Sequence, residues 1–305
     1  MEKQRGMASA GHKLGQIIGD WYEEYFALPL LTNIANRLTL FLDSRFSTRS
    51  CRGGKILWED EDGNAVDYDF VMELEGSAGS LGTPVAFFET FWRRGFRHAK
   101  DKARDDIGKL IPMKSAYPTA RVLCIVSAGD VTTPAREYVL SRGVELFYVP
   151  KSNIINAWKL HGVIIDYPDT SSELEKQLLV ENVENAIHKN KDILVNIADT
   201  LQKNVGRSQL IAFEKKIASK LGATPQEYKI AIRQSSDPFC FSSHKDVDNF
   251  LCRDIILPTL PHTHYSYEVI FGDGDTFFGE SLTFDELKKR HFELKKLIIH
   301  MENIS

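Results

Sequence analysis

Asp67, Asp69 and Glu89 interrupt stretches that are otherwise largely apolar. Asp67 and Asp69 fall within AVDYDFVMEL, and Glu89 falls within PVAFFETFW, the most apolar strand-like run of the N-terminal half. An acid inside a buried strand is unfavourable unless a cation compensates it. Adjacent strands lie ~4.8 Å apart, so acids on neighbouring strands can share one cation. A hard ion such as Mg2+, with Mn2+ as its substitute, accepts one or two carboxylates, keeps several waters and completes its shell with substrate phosphate. Such an ion activates water and neutralises charge growing on a phosphodiester. Just after Glu89, the stretch from Arg93 to Arg104 holds Arg93, Arg94, Arg97, His98, Lys100, Lys102 and Arg104 against Asp101. This is a local excess in a chain of formal net charge −4. Phosphate neutralisation is its natural use, and binding would then fall steeply with salt. A solvated helix face is the plainer reading of the same residues.

The elements that must position these groups are readable from periodicity. Residues 12–43 read as one or two helices, with Leu14, Ile17, Ile18, Trp21, Tyr25 and Leu28 at helical spacing and Pro29 kinking or restarting them. KILWED and AVDYDFVMEL read as two strands around an EDGN turn, GSAGSLGTP as a loop, and PVAFFETFW as a third strand. GFRHAKDKARDDIGKLIPMK turns helical, with Ala99, Ala103, Ile107 and Leu110 on one face. ARVLCIVSAG suits a buried strand, TTPAREYVLSRG a helix with Thr133 before Pro134, and GVELFYVP a fifth strand. That order predicts a mixed α/β sheet flanked by helices and ending near residue 165. Residues 170–204 read as one long helical connector, and 205–305 as a mainly helical α+β accessory domain for DNA recognition or dimerisation. The latter includes the hairpin YSYEVIFGDGDTFFGES and a last helix, TFDELKKRHFELKKLIIHMEN. IASKLGATPQEYKIAIRQ has the outline of a helix-turn-helix, an outline shared with ordinary helical hairpins. His262 and His264 form an H-x-H pair that lacks a third metal ligand.

Composition excludes several classes. With 305 residues, 43% of them hydrophobic and 26% charged, the chain can bury one large core or two ordinary ones. The opening MEKQRGMASAGHK lacks the apolar run of a signal peptide, and no stretch approaches the ~18–20 apolar residues of a membrane span. The four cysteines never form a C-x-x-C pair, so reduced thiols in a cytoplasm are expected, with Cys124 buried in a strand. No P-loop, dinucleotide fingerprint or G-x-S-x-G elbow is present.

An acid leading an apolar strand, a turn, and a Glu in the next strand, with a helix before and an α/β crossover after, resembles the PD-(D/E)XK nuclease superfamily. That superfamily includes type II restriction endonucleases and Holliday-junction resolvases. The resemblance covers roughly residues 12–155 and makes 12–165 the expected nuclease core. It implies a restriction-endonuclease-like fold, Mg2+-dependent hydrolysis of double-stranded DNA, and a homodimer, since two strands require two sites. Asp69 matches the family's first acid, with Asp67 as a competing register, and Glu89, 20 positions after Asp69, matches the second. The family's lysine would stand two residues beyond, where this chain has Phe91. Lys102 or Arg93 is the expected stand-in, although an arginine is a poor proton acceptor. Many members add a glutamate from the first helix. At ~100° per residue Glu24 lies beside Ile17 and Leu28 while Glu23 points away, so Glu24 is expected at the metal. Arg94, Arg97, His98, Lys100 and Arg104 are expected at DNA phosphates. Two other readings stay open: a catalytically inactive DNA-binding protein on the same fold, motivated by Phe91, and a domain whose strand acids are structural.

Overall fold

Ser9 caps the first helix, α1 (Ala10–Trp21), by accepting a hydrogen bond from the His12 amide. A π-helical segment, Tyr22–Ala27, follows without a break and leads into α2 (Leu28–Arg37). Bonding from i to i+5 places more residues in each turn, so the 100° phase no longer holds there. Tyr22, Glu23, Phe26 and Ala27 turn inward. The computed structural model describes residues 9–96, 99–232, 237–252 and 263–304. Among them, no helix is long and apolar enough to cross a membrane.

Helix through residue 43 was the sequence expectation, and the structure corrects it. Thr39 adopts a left-handed backbone (φ +52°), and Phe41–Ser44 forms β1. A short apolar run fits both periods, and here pairing with another strand decides it. AVDYDFVMEL is likewise not one strand. Its first part is β3 (Ala65–Asp67), which closes a separate hairpin with β2 (Leu57–Glu59) in the register Leu57↔Asp67. The turn is held by Asp60, whose Oδ1 accepts from the amides of Asp62 and Asn64. The chain then bends at Tyr68 and Asp69 into β4 (Phe70–Leu74). Tyr68 is buried at this bend, and its hydroxyl donates to the Lys109 carbonyl at 2.7 Å.

The rest of the N-terminal half follows the expected order. It comprises β5 (Thr83–Arg93), α3 (Ala99–Ala116), β6 (Val122–Gly129), α4 (Thr133–Ser141) and β7 (Glu145–Pro150), and a helix not anticipated from the sequence, α5 (Lys151–Leu160), follows. Thr132 caps α4 through the Ala135 amide, with Thr133 and Pro134 in the first turn. The strands form a mixed five-stranded sheet in the order β1-β4-β5-β6-β7. β4 pairs antiparallel with both β1 and β5, and helices connect β5 to β6 and β6 to β7.

The expected single tract at 170–204 is two helices, α6 (Glu173–Lys189) and α7 (Ile193–Val205). Ser172 and Glu175 form a capping box at the start of α6, and extended backbone at Asn190 ends it. After α8 (Arg207–Leu221) comes β8 (Pro225–Ile232), where the helix-turn-helix outline would place a second helix. Tyr228, Ile230 and Ile232 alternate with polar or small residues, a period-two pattern that ladder pairing realises. With β9 (Phe239–Phe241), β10 (Tyr265–Phe271) and β11 (Thr276–Leu282), it makes an antiparallel sheet in the order β11-β10-β8-β9. Helices α9 (His244–Cys252) and α10 (Phe284–Ile304) complete the chain.

By compactness the chain divides into two units. One unit is Met1–Asn33, Glu89–Asp106 and Ile125–Phe213; the other is Ile34–Phe88, Ile107–Cys124 and Glu214–Ser305. In the first, α6 and α7 pack as elements of the body. Trp21 Nε1 donates to the Leu194 carbonyl at 3.0 Å, and Trp21 meets Trp158 edge-on at 5.1 Å. In the second, Tyr228, Tyr267, Val269, Leu287, Leu294 and Ile298 belong to one core beneath the antiparallel sheet.

Candidate active site

Glu89 sits in the long strand β5, flanked by buried Phe87, Phe88, Phe91 and Trp92, and is itself 1% exposed. Its companion comes from α3. Lys102 Nζ lies 3.6 Å from Glu89 Oε2 and also donates to Asp106 Oδ1 one helical turn further on. Asp106 is fully buried, on the α3 face that also buries Ala99 and Ala103, whereas 24% of the Lys102 side chain meets solvent. One ammonium therefore bridges two buried carboxylates with one side open.

Of the two expected stand-ins for the motif lysine, the structure brings Lys102 to Glu89. Arg93 turns back on its own strand: Nη1 donates to the Trp92 carbonyl at 2.9 Å and the guanidinium lies 5.9 Å from the Phe91 ring centre. The Arg93 carbonyl accepts from the Asp130 amide at 2.9 Å. Gly129 allows that approach, since a Cβ there would lie 1.9 Å from the Arg93 oxygen and its φ is +113°. Phe91, at the motif position, is buried.

The structure separates Asp67 from Asp69. Asp67 belongs to the β2–β3 hairpin, where its Oδ1 accepts from the Ile56 amide at 3.0 Å and Lys55 lies 3.8 Å away. These contacts tie Asp67 to the hairpin rather than to β4. Asp69 is half-buried and directly precedes Phe70, whose register partner in β5 is Phe88. On the first helix the π segment reverses the expected phase: Glu23 is 6% exposed and Glu24 faces solvent. Glu23 thus replaces Glu24 as the inward carboxylate.

The basic stretch divides as well. Arg94 is committed to residues 166–169. It donates to Asp169 at 2.9 Å and to the Tyr167 carbonyl, lies 3.4 Å from Asp166, and stacks 3.8 Å from the Tyr167 ring centre. Burial lowers its pKa, but the Asp169 hydrogen bond and the charges of Tyr167, Asp166 and Asp169 outweigh it and raise the group overall. Arg94 is therefore an internal clasp rather than a projecting phosphate contact. Lys100 and Arg104 are exposed on α3, and Arg97, His98 and His262 lie outside the described residues.

Sequence reasoning did not single out Asp106, although its i, i+4 spacing from Lys102 was visible. It also missed a second ionic cluster, because its members come from three separate segments. Arg49, with no exposed side-chain surface, donates to Asp43 at 2.6 Å, to Glu73 at 2.5 and 3.1 Å, and to the carbonyls of Ser77 and Ser80. Arg52 also binds Asp43, and the Gly82 amide donates to Glu73 at 2.6 Å. Among the described residues, no group of three or more His, Cys, Asp or Glu side chains is arranged to hold a metal ion. No protein-family model matches the chain, and no curated protein or solved structure matches it.

Proposed function

We propose that the chain is a metal-dependent endonuclease that hydrolyses double-stranded DNA in the cytoplasm, of the type II restriction kind and acting as a homodimer. The observation that carries this reading is Glu89, a carboxylate buried in the centre of an apolar strand, with the Lys102 ammonium 3.6 Å away. The donor chemistry suits the ion the resemblance implies, since Glu89 offers hard carboxylate oxygens of the kind Mg2+ or Mn2+ takes. When bound, such an ion supplies Lewis-acid polarisation and an activated water.

The chain's own residues do the rest. Burial in β5 holds the Glu89 carboxylate in one place. Lys102 keeps a positive charge beside that carboxylate, where a phosphate approaching the site develops negative charge, and does from α3 what the family's strand lysine does. Lys100 and Arg104, exposed on the same helix, take flanking phosphates. A catalytically inactive DNA-binding protein is the second reading, favoured by Phe91 at the motif position and by the attachment of Lys102 to Asp106.

Incubation of the purified protein with unmethylated plasmid or phage DNA, with Mg2+ or with EDTA, tests both. Discrete Mg2+-dependent fragments are expected, and Glu89→Ala and Asp69→Ala should each lower the rate at least ~100-fold. Cutting that survives both substitutions overturns the nuclease reading. Salt-sensitive DNA binding without cutting establishes the inactive one.

A further inference from the structure

Asp106 poses an energetic question that helix stability does not answer. An exposed Lys–Asp pair four residues apart contributes little to helix stability, and it needs no burial. A carboxylate taken fully out of water is penalised far more than such a pair returns. Asp106 is nevertheless 0% exposed, on the α3 face that also buries Ala99 and Ala103. Lys102, its partner, is anchored at one end and partly open at the other, 3.6 Å from Glu89.

A lysine chain has four rotatable bonds and loses much rotamer freedom when fixed. A strand lysine would be aimed by the sheet itself. A helix lysine needs a second group to hold its ammonium in place, and a solvated carboxylate, itself mobile, could not do so. A buried one can. We infer that Asp106 is a positioning residue that holds the Lys102 ammonium beside Glu89, so that a helix-borne lysine replaces the one excluded by Phe91. This inference rests on the nuclease reading, and Asp106 touches no reacting atom.

The test is a double-mutant cycle with an independent readout. Asp106→Asn, nearly isosteric, should lower kcat ~10- to 100-fold, the range seen when groups that orient a ligand are removed, with little change in KM. In a Lys102→Ala background the same substitution should cause no further loss. Labelling with an amine-reactive reagent, mapped by peptide mass, should rise at Lys102 in Asp106→Asn relative to Lys100 on the same helix. An unchanged kcat, or a loss that persists undiminished in the Lys102→Ala background, overturns the inference. If Asp106→Asn does not fold, Asp106→Glu keeps the charge on a longer arm and should fold with reduced kcat; full activity would overturn the inference. If the wild-type protein cuts no DNA with Mg2+, the nuclease reading falls and labelling alone decides: raised labelling upholds the positioning contact and unchanged labelling refutes it.

Discussion

Two buried ionic clusters in this chain use the same chemistry and end differently. In Arg49–Asp43–Glu73 the cation has no exposed surface, and its five N–H groups find five acceptors. Arg52 and the Gly82 amide take up further carboxylate capacity. The cluster clasps residues 75–82 to β1 and β4 and is closed. In Glu89–Lys102–Asp106 the carboxylates are equally buried, but 24% of the cation side chain is open to solvent. Burial of charge alone therefore does not mark a site. What distinguishes a place for chemistry from a staple is whether one member still faces something it could meet.

The comparison can be broken most directly at Arg49. Arg49→Met removes the cation shared by two buried carboxylates, leaving Arg52 alone on Asp43, and should remove about 3–5 kcal/mol of stability, measured by urea unfolding. Lys102→Met should destabilise by less, because solvent reaches that cluster. Equal losses, or the reverse order, would refute the division into closed and open clusters.

A smaller effect sharpens the open side. Replacing Lys100 and Arg104 together with Ala should flatten the dependence of log affinity on log salt by about 1.8, at ~0.9 per phosphate contact. An unchanged slope in DNA-binding titrations would show that these exposed cations are only a solvated face.

The smallest effect concerns a third buried network, in the C-terminal sheet. His291 is buried; its Nδ1 is 2.8 Å from the Tyr267 hydroxyl and its Nε2 is 3.3 Å from Asp248. Burial lowers its pKa, and the charge of Asp248 offsets this only in part. The unfolded chain then binds the proton more readily, so stability is full above the ordinary histidine value of about 6.5 and declines as pH falls below it. Unfolding midpoints at pH 7.5 and pH 5 should show that decline in the wild type and less of it in His291→Gln. An equal decline in both would assign it to other groups.

Much of the sheet could be read from local pattern. The runs that became β5, β6 and β7, the helices between them, and the final hairpin and helix carry periodicity strong enough to survive any context. The anomaly of Glu89 was equally plain, because a carboxylate among phenylalanines departs from the pattern of its own strand. Short or two-way segments were not decidable in this manner. Phe41–Ser44 is strand because β4 offers it a partner in the register Phe41↔Glu73. Pro225–Ile232 is strand because β9 and β10 flank it.

Local spacing marked which residues are buried in the long apolar elements, Glu89 as a carboxylate out of place among them, and where the helical crossovers lie. Packing set the rest: a π segment turns Glu23 inward, Asp67 belongs to a hairpin, Arg94 is held by residues 166–169, and Lys102 meets Glu89. Periodicity records how each segment divides between core and solvent. A side chain's partner depends on strand pairing, helix phase and long-range packing, and no local spacing carries that information.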